Sequence, residues 1–246
     1  MDWSTTLDSI RLTIGFLILV YASYTDIKTR RAANFLWVIM AAAGIALLIV
    51  QYFTAPFQNL WYLAAIPVMI VLFYGFYLMR LLYGGADAKA LMALAILVPL
   101  QPVILTLPLL QPSSFWPGVW TIFVNSLIFF LIIPLSLLIY NAAHHNFQFP
   151  HLLLGYRMTV EKAKQNFVWP LEKIKDGQRK LSKLPQDFDV DKELEEFERL
   201  GITDIWVTPK IPFMIPLLVG FLATFIVGDI LTRTMSIVIQ FFTSLF

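Results

Sequence analysis

Long apolar segments, separated by short polar ones, dominate the pattern along this chain of 246 residues. No Asp, Glu, Lys or Arg occurs at residues 32–79 or at residues 90–156. Each stretch is too long for one core element and long enough for two membrane-spanning helices of about 20 apolar residues. The pattern predicts an all-α polytopic membrane protein with six transmembrane helices. The expected helices occupy residues 6–27, 33–52, 60–79, 88–107, 118–140 and 211–231.

The segments between the predicted helices are short. Two polar, Pro-containing turns without charge join spans two and three and spans four and five, at residues 51–59 and 111–118. The first apolar run follows Asp2 and Asp8 instead of a basic segment. We therefore expect it to be the first span and not a cleavable signal peptide.

One segment, residues 141–209, is polar and charged. It holds eleven of the sixteen Asp and Glu residues and most of the Lys and Arg residues. Within it, residues 187–199 alternate acidic and apolar positions and predict an amphipathic helix that Gly201 would end. Residues 205–207 predict a short strand. We expect a small α+β cytosolic domain inserted between helices five and six. The resulting division of the chain is 1–140, 141–209 and 210–246.

Composition supports the membrane assignment and argues against several kinds of catalytic and binding site. Hydrophobic residues make up 59% and charged residues 14% of the chain, whereas soluble domains carry about 25% charged residues. No cysteine is present, which excludes disulfides and thiol nucleophiles. The net charge of +2 does not suggest a nucleic-acid partner. Because no phosphate-binding loop, dinucleotide fingerprint or zinc motif occurs, we expect neither a cofactor nor a metal.

Basic residues near the predicted span ends indicate the orientation in the membrane. Lys28, Arg30 and Arg31 follow span one, Arg80 and Lys89 lie between spans three and four, and the charged insert follows span five. Basic residues concentrate on the cytoplasmic side of membrane proteins. This side is therefore predicted to be cytoplasmic, with both termini outside.

Asp26 lies at the end of predicted span one, where a carboxylate is unfavourable. Only fourteen uncharged residues, Leu12 to Thr25, separate it from Arg11, and because a full crossing needs more, we expect the helix to run through Asp26. A helix C-terminus disfavours a carboxylate by a few tenths to about 1 kcal/mol, so local stability does not account for it. The alternative is an interfacial residue paired with Lys28, Arg30 or Arg31.

Asp87 follows three small residues, Gly84, Gly85 and Ala86, and precedes span four. Small residues bring backbone close to other groups, and glycine also permits positive φ, so the chain can bend there. A peptide substrate that approaches a carboxylate needs such clearance. The alternative is structural, because Asp is a favoured N-cap and Asp87 could cap span four.

The two aspartates are expected to act as a pair. Two predicted spans separate Asp26 from Asp87, so both lie at the same membrane face and can meet if spans one and four pack together. Adjacent carboxylates share a proton because both cannot easily ionise. One then activates water as a base, and the other protonates the scissile carbonyl or the leaving amine. The pair predicts amide hydrolysis that needs no metal and no cysteine.

Three other positions have simpler interpretations. Asp229 lies near the opposite face, and we expect an ion pair with Arg233 at a helix end, or an interfacial position. Lys89 either extends to the lipid headgroups or perturbs Asp87.

Three histidines, His144, His145 and His151, cluster after span five without a neighbouring carboxylate. We expect interface residues there and not a metal site.

At residues 84–89, the sequence Gly-Gly-Ala-Asp-Ala-Lys resembles the Gly-x-Gly-Asp motif of membrane aspartyl proteases. Within that group the chain is most similar to type IV prepilin peptidases, and specifically to archaeal preflagellin peptidases. Asp26 is followed by a basic loop and Asn34, and a soluble insert precedes the last span, as in that family. Residues 205–212 resemble a segment before the final helix of archaeal members. One position departs from the motif, because Ala86 replaces the usual Gly before the Asp.

The resemblance implies a membrane aspartic endopeptidase with Asp26 and Asp87 as its catalytic residues. The remaining motif residues would border the approach of the substrate: Gly84, Gly85, Ala86 and Lys89. The implied substrates are flagellin-like or pilin-like precursors, cut after a short basic leader on the cytoplasmic side of their hydrophobic helix. The implied location is a multi-pass position in an archaeal cell membrane, with the active site at the cytoplasmic face.

Three alternatives stay open on the sequence. A presenilin-like intramembrane protease carries its Asp pair in two consecutive late helices, with a Tyr-Asp pair in the first, whereas Asp26 follows Thr25. A proton- or ion-coupled small transporter could use Asp26 and Asp87, although such groups tend to lie near the bilayer midplane. A structural subunit of a secretion assembly would need no chemistry.

Overall fold

The computed structural model of the protein describes residues 2–55, 61–82, 84–110, 116–175, 178–181 and 190–244. Most of the two turns predicted at 51–59 and 111–118 lies outside these residues, as do residue 60 at the start of span three and residues 187–189 of the amphipathic helix. Contacts divide the chain into two compact units. The helical unit comprises Met1–Phe130 and Pro212–Phe246, and the inserted unit comprises Leu131–Ile211.

The secondary structure is mostly helical, with two small sheets in the inserted unit. The helices are α1 (Trp3–Thr29), α2 (Asn34–Thr54), α3 (Trp61–Leu78), α4 (Gly85–Leu97), α5 (Gly118–Phe130), α6 (Ile132–Ala143), α7 (His151–Leu154), α8 (Val160–Gln165), α9 (Val190–Arg199), α10 (Met214–Ile226) and α11 (Ile230–Ser244). The strands are β1 (Tyr156–Thr159), β2 (Val168–Pro170), β3 (Glu172–Lys175), β4 (Gln178–Leu181) and β5 (Asp204–Pro209).

Among the described helices, three are long and apolar enough to cross a membrane. They are α1, α2 and the 26-residue run Gly118–Ala143 that contains α5 and α6. The pair of α10 and α11, bent by 62°, is a candidate fourth span, and α3 is a shorter apolar helix. This count does not confirm the six predicted spans.

The predicted fourth span, residues 88–107, is not one helix. α4 ends at Leu97 because Pro99 follows Val98, and a proline disfavours helical geometry in the residue before it. With 13 residues, α4 is about 20 Å long, shorter than a hydrocarbon core of about 30 Å. Most of its side chains are buried, because α1, α2, α3 and α5 all pack against it. It is therefore a central helix of the helical unit.

Small residues allow the helices around α4 to pack closely. A Cβ atom at Gly44 of α2 would lie 2.9 Å from backbone atoms of Ile96 and Leu97. A Cβ atom at Gly220 of α10 would lie 2.5 Å from the backbone nitrogen of Ser126 in α5. Such small-residue contacts are typical of helices packed within membranes.

After α4 the chain continues as an irregular segment that contacts the N-terminal part of α1. The Val103 N–H donates a hydrogen bond of 2.9 Å to Asp8 Oδ2. Arg11, which is buried, donates to Asp8 Oδ1 at 2.8 Å and to Gln51 Oε1 at 2.6 Å. Asp8 therefore belongs to α1, where it joins a network with α2 and this segment.

The last predicted span is bent between α10 and α11. Gly228 has a φ of 103°, a conformation that favours glycine, and it follows the end of α10. Asp229 then caps α11: its Oδ1 accepts a bond of 3.0 Å from the Thr232 N–H, and its Oδ2 accepts one of 2.7 Å from the Thr232 hydroxyl. The buried Asp229 carboxyl thus caps a helix instead of forming the expected ion pair with Arg233.

In its described residues, the inserted unit contains a three-stranded antiparallel sheet, a hairpin and the helices α6, α7, α8 and α9. The sheet has the order β1-β5-β2, and β3 pairs with β4. The strand predicted at residues 205–207 is confirmed as the central strand β5, with Ile205 and Val207 buried in the core. The amphipathic helix is confirmed as α9, whose buried Leu194 and Phe197 join the same core.

Gly201 ends α9 as predicted, through two backbone hydrogen bonds. The Gly201 N–H donates to Glu198 O at 2.9 Å, and the Ile202 N–H donates to Phe197 O at 3.0 Å. This pattern, with Gly201 at a φ of 69°, is a Schellman motif, which pairs carbonyls that a helix end leaves without partners.

Candidate active site

Asp26 occupies the last turn of α1, as the sequence predicts. α1 ends at Thr29, and Arg30 follows in the left-handed conformation, with its N–H donating to Asp26 O at 2.9 Å. The Asp26 side chain is half-buried. The Arg30 charge and the backbone N–H of Met214 both act on the Asp26 carboxyl and favour its ionised form. The carboxyl therefore has stabilising partners that offset its unfavourable helix end.

The start of α10 is held against this part of α1. Met214 is the first residue of α10, and its carbonyl accepts a bond of 3.0 Å from the buried Ser23 hydroxyl. N–H groups in the first turn of a helix lack intrahelical partners and carry partial positive charge, so this helix end favours a carboxylate. Sequence reasoning missed both residues. Ser23 lies three residues before Asp26 on the same helix face, and this spacing is only a weak sign of its role. The backbone N–H of Met214 cannot be recognised from the sequence.

Asp87 is the third residue of α4 and not its N-cap. The N-cap is Gly84, whose carbonyl accepts bonds from the Asp87 N–H at 3.1 Å and the Ala88 N–H at 3.2 Å. The Asp87 carboxyl in turn lies beside the backbone of Gly84, which acts on it electrostatically. An acid at this position commonly reaches back to the N-cap N–H. The alternative in which Asp87 itself caps the helix is therefore wrong.

Gly84 gives the Asp87 carboxyl the room that it occupies. A Cβ atom at position 84 would collide with Asp87 Oδ2 and would lie 2.8 Å from its Cγ. Neither Gly84 nor Gly85 has a positive φ, so the prediction that glycine flexibility bends the chain here is wrong. Gly84 matters because it has no side chain where the Asp87 carboxyl lies. Ala86 lies inside α4, where alanine is the most favourable residue, so the departure from the motif introduces no strain.

Two further residues border the start of α4. A Cβ atom at Gly85 would lie 3.6 Å from the ring of Tyr77 at the end of α3, so Tyr77, which sequence reasoning missed, is a neighbour of the motif. Lys89 Nζ donates a bond of 2.9 Å to Asn34 Oδ1, the first residue of α2. Lys89 thus joins α4 to α2, a role that neither sequence interpretation gave it.

The structure places Asp26 and Asp87 in one region of the helical unit. α1 packs against α4, and the Asp26 carboxyl acts electrostatically on the Asp87 carboxyl. Two neighbouring carboxyl groups can hold one proton between them and serve as an acid and a base once they are in contact. The arrangement can therefore activate a water molecule and protonate a leaving group.

The histidines occupy different surroundings within the inserted unit. His144 Nδ1 lies 2.8 Å from the carbonyl oxygen of Tyr140, and the two rings are 4.2 Å apart. His151 is buried against Trp206, and burial lowers the pKa of its imidazole against the opposing effect of nearby Glu172. Within the described ranges, no group of three His, Asp or Glu side chains could hold a metal ion.

Apolar membrane helices with a carboxyl pair at one end are features of a membrane-bound acid–base hydrolase. Residues 13–140 match the profile of the Type IV leader peptidase family. Residues 148–230 match that of the Archaeal Peptidase A24 C-terminus Type II. The chain belongs to the type IV leader peptidase family, and it is a protease with a leader peptidase role.

Characterised relatives extend this comparison to nearly the whole chain. The chain is 29% identical over 232 residues to a preflagellin peptidase of Methanococcus voltae, covering 89% of this chain and 96% of the relative. It is 28% identical over 230 residues to a preflagellin peptidase of Methanococcus maripaludis, with the same coverages. A preflagellin peptidase of Methanocaldococcus jannaschii is 26% identical over 230 residues, covering 89% and 94%. These similarities do not favour the transporter or presenilin-like alternatives.

Proposed function

We propose that the protein is an aspartic endopeptidase that removes the leader peptide from preflagellin or pilin-like precursors, with Asp26 and Asp87 as its catalytic pair. The three relatives are named as preflagellin peptidases, which supports this class of substrate. The observation that carries the proposal is the electrostatic interaction of the two carboxyl groups where α1 packs against α4.

The surroundings of the two carboxyl groups support different roles. Asp26 has the Arg30 charge and the Met214 N–H beside it, and both stabilise a carboxylate. Asp87 has the backbone N–H groups of the first turn of α4 beside it, but the charged group that acts on it is Asp26, which carries the same sign. We therefore assign the base to Asp26 and the shared proton to Asp87.

Hydrolysis then proceeds in two balanced steps. Asp26 takes a proton from water as the oxygen attacks the scissile carbonyl carbon, and Asp87 gives its proton to the carbonyl oxygen, which yields a gem-diol. Asp26 next gives its proton to the amide nitrogen as the C–N bond breaks, and Asp87 takes one back from a gem-diol hydroxyl. The products are a carboxylic acid and an amine, and the pair regains its starting protonation.

The remaining motif residues fit a path for an extended peptide. Gly84 and Gly85 expose backbone next to Asp87, and Ala86 adds only a methyl group. Tyr77 borders this backbone from the end of α3, and Lys89 is hydrogen-bonded away from Asp87 to Asn34. A peptide backbone can therefore approach the Asp87 carboxyl without meeting a large side chain of the motif.

Six crossings of the membrane are compatible with the short α4. The first turn of α4, which contains Asp87, lies near the Asp26 end of α1. Val103, in the segment after α4, contacts Asp8 near the other end of α1. These two ends of α1 are 18 residues apart in the sequence, or about 27 Å, close to the hydrocarbon thickness of about 30 Å. The fourth crossing would then be α4 followed by an irregular segment, which membranes tolerate where protein surrounds it. Val98 and Pro99 of that segment are buried.

The positive-inside pattern supports a cytoplasmic position for the proposed catalytic pair. Lys28, Arg30 and Arg31 follow Asp26 directly, and Lys89 follows Asp87. The charged segment, residues 141–209, is expected on the cytoplasmic side by the same rule. A leader peptide cut there would be released into the cytoplasm.

The test compares cleavage of a preflagellin-type precursor by membranes containing wild-type protein, Asp26→Asn or Asp87→Asn. Each variant keeps the side-chain size but cannot share the proton, so both should lose cleavage by about 10²- to 10⁴-fold, the scale of a lost acid–base residue. Asp229→Asn is the matched control, because Asn also caps helices and Asp229 caps α11. It should retain near-normal cleavage.

Near-normal cleavage by either catalytic variant would make that aspartate structural and contradict the mechanism. A wild-type protein that leaves all such precursors intact would contradict the substrate class.

A further inference from the structure

The last helix, α11, is amphipathic, with a narrow polar stripe and a wide apolar face. Successive residues of an α-helix lie about 100° apart around its axis, so the polar side chains of α11 cover about 120° and the apolar ones about 200°. The polar stripe consists of Thr232, Arg233, Ser236, Gln240, Thr243 and Ser244. The apolar face consists of Ile230, Leu231, Met235, Ile237, Val238, Ile239, Phe241 and Phe242. Thr234 interrupts this face, but its hydroxyl donates a bond of 2.8 Å to the Ile230 carbonyl.

The described residues leave the apolar face of α11 uncovered. α11 contacts α5, yet none of its own residues is buried. Seven side chains of the apolar face are between 43% and 61% exposed, namely Leu231, Met235, Ile237, Val238, Ile239, Phe241 and Phe242. A contiguous apolar surface of this kind is typical of a site that binds another protein or a membrane.

α10 carries the chain to the end of α1 that lies away from Asp26. At its start, the Met214 carbonyl accepts a bond of 3.0 Å from Ser23, near the Asp26 end of α1. At its end, the Val227 carbonyl accepts a bond of 2.8 Å from the Leu110 N–H, in the segment whose Val103 contacts Asp8. Since α1 is long enough to cross a membrane, α11 begins near the membrane face opposite Asp26.

A fixed bend turns α11 away from the direction of α10. The two helices differ in direction by 62°, and Gly228 forms the bend with a φ of 103°. A Cβ atom at Gly228 would lie 2.8 Å from the Leu110 carbonyl oxygen, so the bend is packed against the rest of the helical unit. With 15 residues, α11 is about 22 Å long and advances only about 10 Å along the axis of α10. It extends about 20 Å sideways.

We propose that α11 lies in the membrane–water interface at the face opposite Asp26, with its apolar face among the lipid acyl chains and its polar stripe toward water. An amphipathic helix in this position buries its apolar side about 5–10 Å into the boundary between headgroups and acyl chains. The C-terminus profile of the family ends its match at residue 230, so the shared family features do not account for α11. This membrane-binding surface is independent of the proposed catalytic pair.

Two other arrangements fit the structure less well. As a membrane-crossing segment, α11 is shorter than a hydrocarbon core of about 30 Å, and its polar stripe, with Arg233, would lie in the core at a cost of a few kcal/mol. As a contact with a second copy of the chain, it would present a stripe of about 100° to a packed helix. Its apolar face is about twice as wide, which matches immersion in lipid.

The absence of native cysteine allows α11 to be mapped with single spin labels. The full chain carrying Leu231→Cys, Met235→Cys, Val238→Cys or Phe242→Cys is labelled with a nitroxide and reconstituted in phosphatidylcholine vesicles. Arg233→Cys and Gln240→Cys are the matched controls on the polar stripe. Collisions are measured with oxygen, which concentrates among acyl chains, and with a water-soluble nickel complex. The oxygen-to-nickel ratio should be several-fold higher at the four apolar positions than at the two controls, with similar depths at positions 231 and 242.

A second measurement tests whether the apolar face holds the helix in the interface. The Val238→Cys label is read in the presence of Met235→Glu or of Gln240→Glu. Met235→Glu places a carboxylate on the apolar face and should lower the oxygen-to-nickel ratio at position 238 several-fold. Gln240→Glu places the same charge on the polar stripe and should leave that ratio unchanged.

Three results would overturn the proposal. A depth that increases steadily from position 231 to position 242 would make α11 part of a membrane crossing. Low collision rates with both reagents at the four apolar positions would show that protein covers them, and a second copy would also give spin–spin broadening between labels. High collision rates with the nickel complex at all six positions would place α11 in water.

Discussion

At the scale of single residues, the Asp87 carboxyl can take its position only because Gly84 has no Cβ atom. The carboxyl folds back over the N-cap of its own helix and occupies the space that a side chain at position 84 would need. The sequence pattern predicted that small residues precede Asp87 for clearance. The structure shows that Gly84 provides this clearance and that the Asp87 carboxyl itself occupies it, because α4 begins at Gly85.

Gly84→Ala should displace the Asp87 carboxyl and lower kcat for precursor cleavage. A displacement of about 1 Å at a reacting group can cost about 10²-fold in rate, and the Ala Cβ would collide with the carboxyl. Gly75→Ala is the matched control, because a Cβ there meets nothing within 4 Å. Steady-state cleavage rates of the two variants give the comparison. Equal rates would show that the Asp87 position does not depend on Gly84.

At the scale of elements, local signals predicted helices and strands well, and helix ends less well. α9 and β5 match their expected positions because an amphipathic repeat and an apolar strand are read from neighbouring residues. α4 is shorter than expected because Pro99 ends it, although the hydrophobicity continues. Asp229 caps a helix because Gly228 bends the last apolar run there.

Gly201→Ala should destabilise the inserted unit by about 1 kcal/mol, the cost of a left-handed conformation for a residue with a Cβ. Gly201 has a φ of 69°, and a Cβ there meets nothing within 4 Å, so the cost comes from the backbone alone. Gly201→Asn is the control, because asparagine tolerates this conformation better. Thermal unfolding of the purified protein measures both variants. An Ala variant as stable as the Asn variant would exclude this account of the helix end.

At the scale of the whole molecule, hydrophobicity predicted a membrane protein, whereas the number of crossings depends on packing. Three or four helices in the described ranges are long enough to span. The segment after α4 contacts Asp8 at the far end of α1, although it has no regular secondary structure there.

Single cysteines in this cysteine-free chain should map the crossings with a membrane-impermeant thiol reagent. Ala33→Cys and Gln165→Cys should react from the cytoplasmic side, because basic residues surround the first and the inserted unit carries the second. Thr54→Cys and Val103→Cys should react from the opposite side, since α2 and the fourth crossing both lead there. Labelling of Val103→Cys from the cytoplasmic side would show that α4 and the segment after it do not cross the membrane. The chain would then have fewer than six crossings.

The sequence by itself determined the features that depend on near neighbours. These are the apolar runs that become membrane helices, the position of Asp26 in the last turn of α1, the charged insert, and the glycine that ends α9. Periodicity, charge and left-handed glycine act over a few residues, so they are visible in the printed sequence.

Only the tertiary structure decided which groups meet across the chain. The Met214 N–H beside Asp26, the Ser23 bond that holds α10, the pairing of Lys89 with Asn34 and the Arg11 network each join distant segments. Their physical reason is packing: backbone amides are the same at every position, and a side chain finds its partner only after helices separated in sequence approach one another. The catalytic proposal depends on such a meeting, between the last turn of α1 and the first turn of α4.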